Sequence, residues 1–238
     1  MSGLRRFFVD SVSERTTISG EEFTHAVSVL RIKQGEDVIL CDNSGIEYFA
    51  KIDTVNKKDL TVTVYDKRKS DTEPKNKATL IAGYLKGDKT ELVVQKAVEL
   101  GVSEIVVFSS QFSSAYMNDN KLSRLNRVSV ESAKQCGRAI APKVTYADNF
   151  DLALTAGNNS KNKLFACEFA EDNQVDFSTL SGDTAIVVGS EGGFSQEEYQ
   201  LALSKGYTTV YLGKRILRAE TACIALSAII MHSLGEFN

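Results

Sequence analysis

The chain has 238 residues, of which 42% are hydrophobic and two are prolines, and its formal net charge is −3 at pH 7. A chain of this size and apolar content can bury a sizeable core as one or two domains. The small net charge excludes a wholesale basic coat, although local Lys and Arg clusters can still bind nucleic acid. The four cysteines are widely spaced and there are only two histidines, so neither a disulfide framework nor a bound metal is expected.

The sequence also indicates where the protein resides. Its beginning, MSGLRRFFVD, has no long apolar segment and no small-residue cleavage site, unlike a signal peptide. The longest apolar stretch, Ala219 to Leu234, is too short and too polar to cross a bilayer. The cysteines fit small buried hydrophobes in a reducing compartment. We therefore expect a soluble cytoplasmic protein that does not contact the membrane.

The first part of the chain, up to about Tyr65, predicts a small half-buried β-barrel or sheet. Asn43-Ser44-Gly45 is a plausible hairpin connection between two of its strands. Apolar residues at helical spacing predict a helix in GEEFTHAVSVLRIKQG that ends at Gly35. The predicted strands are RRFFV, DVILCD, IEYFAKIDTV and DLTVTVYD.

A polar run from Lys67 to Lys77 predicts the boundary between two domains. It contains no apolar residue and one of the two prolines. We expect one domain over residues 1–70 and a second over residues 71–238. In the second, helix-length segments separate β-branched strands, which predicts an α/β domain with a mostly parallel sheet covered on both faces. Ligands of such sheets bind at the carboxyl ends of the strands.

Two loops near the end of the sequence each follow a strand and open a helix. The first is the glycine-rich turn GSEGGFS, where Ser195 and Glu198 predict a capping box for the following helix. The turn matches neither G-x-x-x-x-G-K-[ST] nor G-x-G-x-x-G, so a tight turn with no ligand is one interpretation. Glu191 favours a ligand site, because a plain turn needs no charge there.

The second loop, LGKRILRAETA, places Arg218 and Glu220 at the start of a helix that is otherwise almost entirely apolar. Ionisable residues at the entry of a buried helix indicate a pocket or an interface. Alternatively, Glu220 is a first-turn carboxylate favoured by the helix dipole. We expect the two loops to lie side by side.

Together, GSEGGFSQEEYQLA and LGKRILRAETA resemble the C-terminal signature of the trefoil-knotted SPOUT methyltransferases, specifically the ribosomal RNA small subunit methyltransferase E family. The family's turn usually reads G-P-E-G-G, whereas here Ser190 replaces the proline, which loosens the turn without removing a group that chemistry uses. Further similar segments are RRFFV, HAVSVLRIKQGEDVILCDNSGIEYFAKI, KGDKTELVVQKAVELGVSEIVVF and ESAKQCGRAIAPKV.

The resemblance implies a fold and an activity. The first domain would be a PUA-like β-barrel that binds RNA, and the second a SPOUT domain with a trefoil knot within about residues 163–238. The protein would be a homodimer that uses S-adenosyl-L-methionine to methylate N3 of a uridine in 16S ribosomal RNA, either as naked RNA or within the small ribosomal subunit. Alternatives are a SPOUT enzyme acting on tRNA or large-subunit RNA, and a non-enzymatic RNA-binding assembly factor.

The resemblance also implies site residues. Arg218 or Arg138 would stabilise negative charge on the uracil carbonyl oxygens, and Glu191 or Glu220 would take the N3 proton or orient an arginine. For Arg138 a structural role at a helix end is the alternative. The cofactor would lie at three strand ends, the first around Ala166 to Phe169, against Ala166, Cys167, Glu168, Gly189, Glu191, Gly192, Gly193, Leu212, Gly213, Ile216 and Leu217.

Cationic residues of the first domain are candidates for RNA binding, since they suit phosphates and arginine also stacks on bases. Taken alone they describe an ordinary solvated surface, and the family resemblance favours RNA contact. His25 is balanced between RNA contact and a helix surface. His232 is expected in the core or at a dimer interface rather than in catalysis. The candidates are Arg5, Arg6, His25, Arg31 and Lys33.

Overall fold

The structure, a computed structural model, describes residues 4–113, 116–168 and 175–237. Over these residues the chain forms two units. The first contains the chain up to Glu73 together with Ala133–Ala141, and the second contains Pro74–Ser132 and the chain from Pro142 onward.

A five-stranded sheet forms the first unit, in the order β1-β3-β4-β5-β2. Only the β1–β3 pair is parallel among the pairings of this sheet in the described residues. The predicted hairpin between β3 and β4 is confirmed, and Asn43 (φ 62°) and Gly45 (φ 79°) adopt the left-handed conformation it needs. The strands are β1 (Arg5–Phe8), β2 (Arg15–Ser19), β3 (Asp37–Cys41), β4 (Ile46–Val55) and β5 (Asp59–Lys69).

The predicted helix of the first unit is shorter than expected. Helix α1 (Gly20–Thr24) continues as a π-helical turn (His25–Val29), and the expected end at Gly35 is wrong. The chain leaves the helix because Arg31 adopts a left-handed backbone conformation with φ 53°. Strand β5 also extends to Lys69, so the first residues of the predicted linker pair with β4 instead.

Six strands form the sheet of the second unit, in the order β11-β9-β10-β6-β7-β8. All five pairings are parallel, and every residue of β6 and β10 is buried, as expected for a sheet covered on both faces. The strands are β6 (Ala78–Gly83), β7 (Glu104–Phe108), β8 (Val144–Ala147), β9 (Asn162–Ala166), β10 (Thr184–Val188) and β11 (Thr208–Val210).

Helices connect and cover these strands. Helix α6 packs on α2 and on strands β6 and β10. The capping box predicted at Ser195 and Glu198 is confirmed at the start of α5. No helix in the described ranges is long and apolar enough to cross a membrane. The helices are α2 (Lys89–Glu99), α3 (Asp119–Cys136), α4 (Phe150–Leu154), α5 (Gln196–Ser204) and α6 (Ala219–Ser233).

Residues 133–141 belong to the first unit although segments of the second flank them in the chain. The Glu73 carboxylate accepts hydrogen bonds from the backbone N–H groups of Ala139 (2.9 Å) and Ile140 (3.0 Å). It also accepts hydrogen bonds from the Arg138 guanidinium, from Nε at 3.1 Å and from Nη2 at 2.8 Å. The domain bounds 1–70 and 71–238 stay a prediction.

Candidate functional site

Three neighbouring strands of the second unit end at the same level. Ala166, the last residue of β9, lies opposite Val188 of β10 on one side and Val210 of β11 on the other. Because all three strands are parallel, the loops that follow them leave from one edge of the sheet. These loops enclose a cavity of about 670 Å³, a volume typical of small-molecule sites.

The structure brings the predicted cofactor residues together around this cavity. Arg218 also lines it. Phe169, at the end of the first predicted segment, lies outside the described residues. The lining includes Ala166, Cys167, Glu168, Gly189, Glu191, Gly192, Gly193, Leu212, Gly213, Ile216 and Leu217.

Close packing explains the glycines of the turn. A Cβ at Gly189 would lie 2.8 Å from the Phe194 ring, and one at Gly192 would lie 2.6 Å from the Cβ of Phe112. Both distances are shorter than a carbon–carbon contact allows. Glycine is therefore needed at both positions so that the turn can pack against Phe194 and Phe112. Both glycines also line the cavity, where they offer backbone atoms to a ligand.

Lys89, which the sequence did not single out, lies between two carboxylates at the cavity. Its Nζ is 3.1 Å from Glu191 Oε1 and 3.9 Å from Glu220 Oε2. Glu191 Oε1 also accepts a hydrogen bond from the backbone N–H of Lys86, at 3.2 Å. The sequence contained one signal for Lys89, since KGDK directly follows the pattern of strand β6. Strand β6 lies beside β10, which precedes the glycine turn.

The surroundings of Glu191 determine what its carboxyl can do. Burial raises the pKa of the Glu191 carboxyl. The pKa is lowered by hydrogen bonds from Lys89 and from the backbone N–H groups of Glu191 and Lys86, and by the charge of Lys89. These interactions outweigh burial, so the pKa lies below its ordinary value. A carboxylate with a lowered pKa is ionised at neutral pH and is a weak proton acceptor. Glu191 is therefore better suited to holding a cation than to taking a proton.

Of the four residues predicted as catalytic, three lie in the second unit, at or beside the cavity. Glu191 and Arg218 line the cavity, and Glu220 adjoins it through its contact with Lys89. Arg138 belongs to the first unit, where its side chain is 4% exposed and bound to Glu73. That ion pair supports the structural alternative for Arg138.

Two of the RNA-binding candidates lie on β1 in different surroundings. Arg5 is exposed, whereas the Arg6 side chain is 10% exposed and lies 2.5 Å from the fully buried carboxylate of Glu47. Arg68 donates to the other oxygen of Glu47 at 2.6 Å and lies over the Phe49 ring. Arg68 was not predicted as a site residue, because it lies in the polar run from Lys67 to Lys77, which has the composition of a linker.

The other RNA-binding candidates follow α1. His25 begins the π-helical turn and is partly buried, while Arg31 and Lys33 are exposed. His232, near the end of α6, is exposed in this chain, so the prediction that it lies in the core is wrong. Its other predicted location, a dimer interface, stays a prediction.

The cysteines behave as buried apolar groups at two positions. Burial raises the pKa of Cys41 to about 11 and that of Cys223 to about 12. None of the four cysteines is in a disulfide in the part of the chain that the structure describes. The described residues contain no group of three or more His, Cys, Asp or Glu side chains placed to hold a metal ion.

The chain is similar to known proteins over most of its length. A family model described as an RNA methyltransferase domain matches residues 72–231, and one described as an RNA methyltransferase PUA domain matches residues 18–65. Ribosomal RNA small subunit methyltransferase E of Mesomycoplasma hyopneumoniae is 34% identical over 93% of this chain and 96% of that protein. The Bacillus subtilis protein of the same name is 29% identical over 95% of this chain and 96% of its own.

Solved structures are also similar to this chain over most of its length. A Legionella pneumophila methyltransferase in complex with the bound cofactor SAM matches with a TM-score of 0.88 at 26% identity, covering 97% of this chain and 98% of that one. Ribosomal RNA small subunit methyltransferase E from Neisseria gonorrhoeae, bound to S-adenosyl methionine, matches with a TM-score of 0.83 at 26% identity, covering 95% and 96%.

Proposed function

This chain belongs to the ribosomal RNA small subunit methyltransferase E family, and we propose that it methylates N3 of a uridine in 16S ribosomal RNA. It is an S-adenosylmethionine-dependent methyltransferase of small-subunit ribosomal RNA. The observation that supports the proposed site is the cavity at the aligned ends of β9, β10 and β11.

The residues around the cavity fit S-adenosylmethionine. Its ammonium and sulfonium groups suit the carboxylates of Glu168 and Glu191, and its own carboxylate suits Lys89 or Arg218. The backbone of Gly189 and Gly192 suits the adenine and ribose, which need close and directional polar contacts. When bound, the cofactor supplies an activated methyl group for in-line displacement.

The chain's own residues act by positioning and by fixed charge. Uridine N3 carries a proton and is paired in a duplex, so the base must be presented unpaired. We assign Arg218 to stabilising negative charge on the carbonyl oxygens beside N3, because it is exposed at the cavity. The N3–H bond must break as the N3–methyl bond forms. Glu191 holds Lys89 at 3.1 Å, so we assign Glu220, which is 3.9 Å from Lys89, to taking the N3 proton. We retain Arg138 as a structural residue of the first unit.

The test is methylation of 30S subunits from a strain that lacks the gene, with the product mapped by mass spectrometry. We expect 3-methyluridine at one position and a loss of about a hundredfold in turnover for Arg218→Ala and Glu191→Ala. Arg124→Ala is the control, since Arg124 is exposed in the same unit and does not line the cavity.

Each alternative has its own outcome in this test. Methyl transfer to cytidine or to a ring carbon contradicts the proposed reaction. Methylation of only tRNA or large-subunit RNA indicates a different substrate. Calorimetry that detects no binding of S-adenosylmethionine indicates an RNA-binding assembly factor. Near-normal turnover in both alanine variants contradicts the roles assigned to Arg218 and Glu191.

We also propose that the protein is a cytoplasmic homodimer, with a trefoil knot within residues 163–238 and RNA contacts from Arg5, Arg31 and Lys33. Helix α6 supports the dimer, because the helix is largely apolar and its aliphatic residue Ile229 is 36% exposed. Ala225 and Ala228 beside it are partly buried, so a second copy of α6 can approach closely.

A further inference from the structure

Phe112 is a large apolar side chain that stays half exposed beside the cavity. It follows β7, and 49% of its surface is accessible. Its backbone and Cβ lie directly against Gly192, which lines the cavity. Phe112 therefore borders the glycine turn while its ring remains accessible.

The loop that carries Phe112 is fixed on both sides of it. The Ser110 hydroxyl lies 3.0 Å from that of Ser190, within the glycine turn, and both side chains are buried. The backbone N–H of Gln111 donates to the Glu198 carboxylate at 3.0 Å. Ser113 Oγ accepts a hydrogen bond from the Ser110 backbone at 2.8 Å. Because these bonds hold the backbone, the ring is presented from a preorganised position.

Packing against other aromatic rings does not account for the Phe112 ring. Phe108, Phe150, Phe165 and Phe194 form a buried aromatic cluster in the same unit. Among the ring contacts of the described residues, none involves Phe112. The contact with Gly192 involves the Phe112 Cβ and backbone and needs no aromatic side chain, so the exposed part of the ring is available to a ligand.

The proposed reaction creates a need for such a ring. A uridine is methylated at N3 only after its base leaves the RNA stack, and this loss of stacking opposes binding. Stacking on an aromatic side chain offsets the loss and changes affinity by about ten- to a hundredfold per base. We propose that Phe112 stacks on the unpaired target uracil and holds it at the cavity, an inference that rests on the proposed function.

The test compares Phe112→Leu with Phe112→Tyr. Leucine keeps an apolar side chain and the backbone contact with Gly192 but lacks an aromatic face, whereas tyrosine keeps the face. We expect Phe112→Leu to lower kcat/KM for 30S subunits about tenfold or more, with the Kd for S-adenosylmethionine unchanged in calorimetry. Phe112→Tyr should stay near the wild-type value. Phe237→Leu is the control, because Phe237 is 51% exposed in the same unit.

Two results overturn the inference alone. Normal kcat/KM for Phe112→Leu on a uridine that the wild type methylates shows that the ring does not hold the base. A weaker Kd for S-adenosylmethionine in Phe112→Leu, with an unchanged KM for the subunit, shows that the side chain only supports the glycine turn. If the wild-type protein methylates no uridine, the proposed function fails and this inference fails with it.

Discussion

At the scale of single residues, Glu191 has a pKa below its ordinary value, and this makes a prediction about pH. The ionised carboxyl then stabilises the fold fully above the ordinary value of about 4.3, and this contribution is lost as pH falls through the lowered folded value. We expect the difference in Tm between wild type and Glu191→Gln to be constant above about pH 5 and to shrink below it. Circular dichroism melts between neutral and acidic pH measure this.

Lys89→Met provides the contrasting case. The Lys89 hydrogen bond is the first of the interactions that lower the pKa of Glu191. Without this hydrogen bond the pKa of Glu191 is less lowered. In the Lys89→Met background, the difference in Tm caused by Glu191→Gln should therefore disappear at a higher pH than in the wild-type background. The same pH dependence with and without Lys89 would contradict the role assigned to this lysine.

The buried carboxylate of Glu47 should contribute to the stability of the first unit. Its side chain is fully buried between Arg6, which is 10% exposed, and Arg68. Glu47→Gln leaves the Arg6 charge buried without its anion, so we expect a loss of about 3 kcal/mol in the free energy of unfolding. Urea denaturation followed by circular dichroism measures it.

Glu36→Gln is the matched control for Glu47→Gln. Glu36 pairs with Arg5 at 3.6 Å, and both side chains are 41% exposed. Exposed pairs contribute little, so the loss should stay below about 1 kcal/mol. Equal losses in the two variants would contradict the importance of burial here.

At the scale of secondary structure, the start of α5 is fixed by its capping box. Ser195 accepts a hydrogen bond from the Glu198 backbone, and the Glu198 carboxylate accepts one from the Ser195 backbone. We expect Ser195→Ala to lower the free energy of unfolding by about 1 kcal/mol. Ser204→Ala, at the exposed end of the same helix, should change it by less than about 0.5 kcal/mol. Similar losses in both would count against the cap.

The elements that the sequence predicted well depend on local signals. The buried run of β10 and the capping box of α5 are both encoded within a few residues. Strand β2 was missed because Arg15–Ser19 has Ile18 as its only aliphatic residue, and burial of Thr16 comes from pairing with β5. The end of α1 was misplaced because nothing local marks the left-handed conformation of Arg31.

The site was predictable to the extent that motifs mark it. The glycine turn and the loop before α6 were found from their sequences, and both line the cavity. Lys89 was missed because its relation to Glu191 and Glu220 arises only when β6 and β10 pair. The surroundings of Arg138 likewise depend on Glu73, which is distant in the chain.

At the scale of the whole molecule, the proposed homodimer can be tested by its mass in solution. The wild-type protein should have twice the 26.1 kDa mass of one chain in size-exclusion chromatography with light scattering. Ile229→Asp should give a monomer, because it places a charge in an apolar interface. Leu203→Asp is the control, since Leu203 on α5 is 37% exposed, close to the 36% of Ile229. A monomeric wild type would contradict the dimer.

The discontinuity of the first unit has a consequence for synthesis on the ribosome. Glu73, whose carboxylate binds backbone N–H groups in residues 133–141, is synthesised before that segment. After Glu73, 68 more residues (74 to 141) must be translated before every residue of the unit has been made. At about 5–20 residues per second, this interval lasts roughly 3–14 s. During it, Glu73 lacks the N–H donors it binds in the finished protein, so the unit completes its folding only when much of its neighbour has been translated.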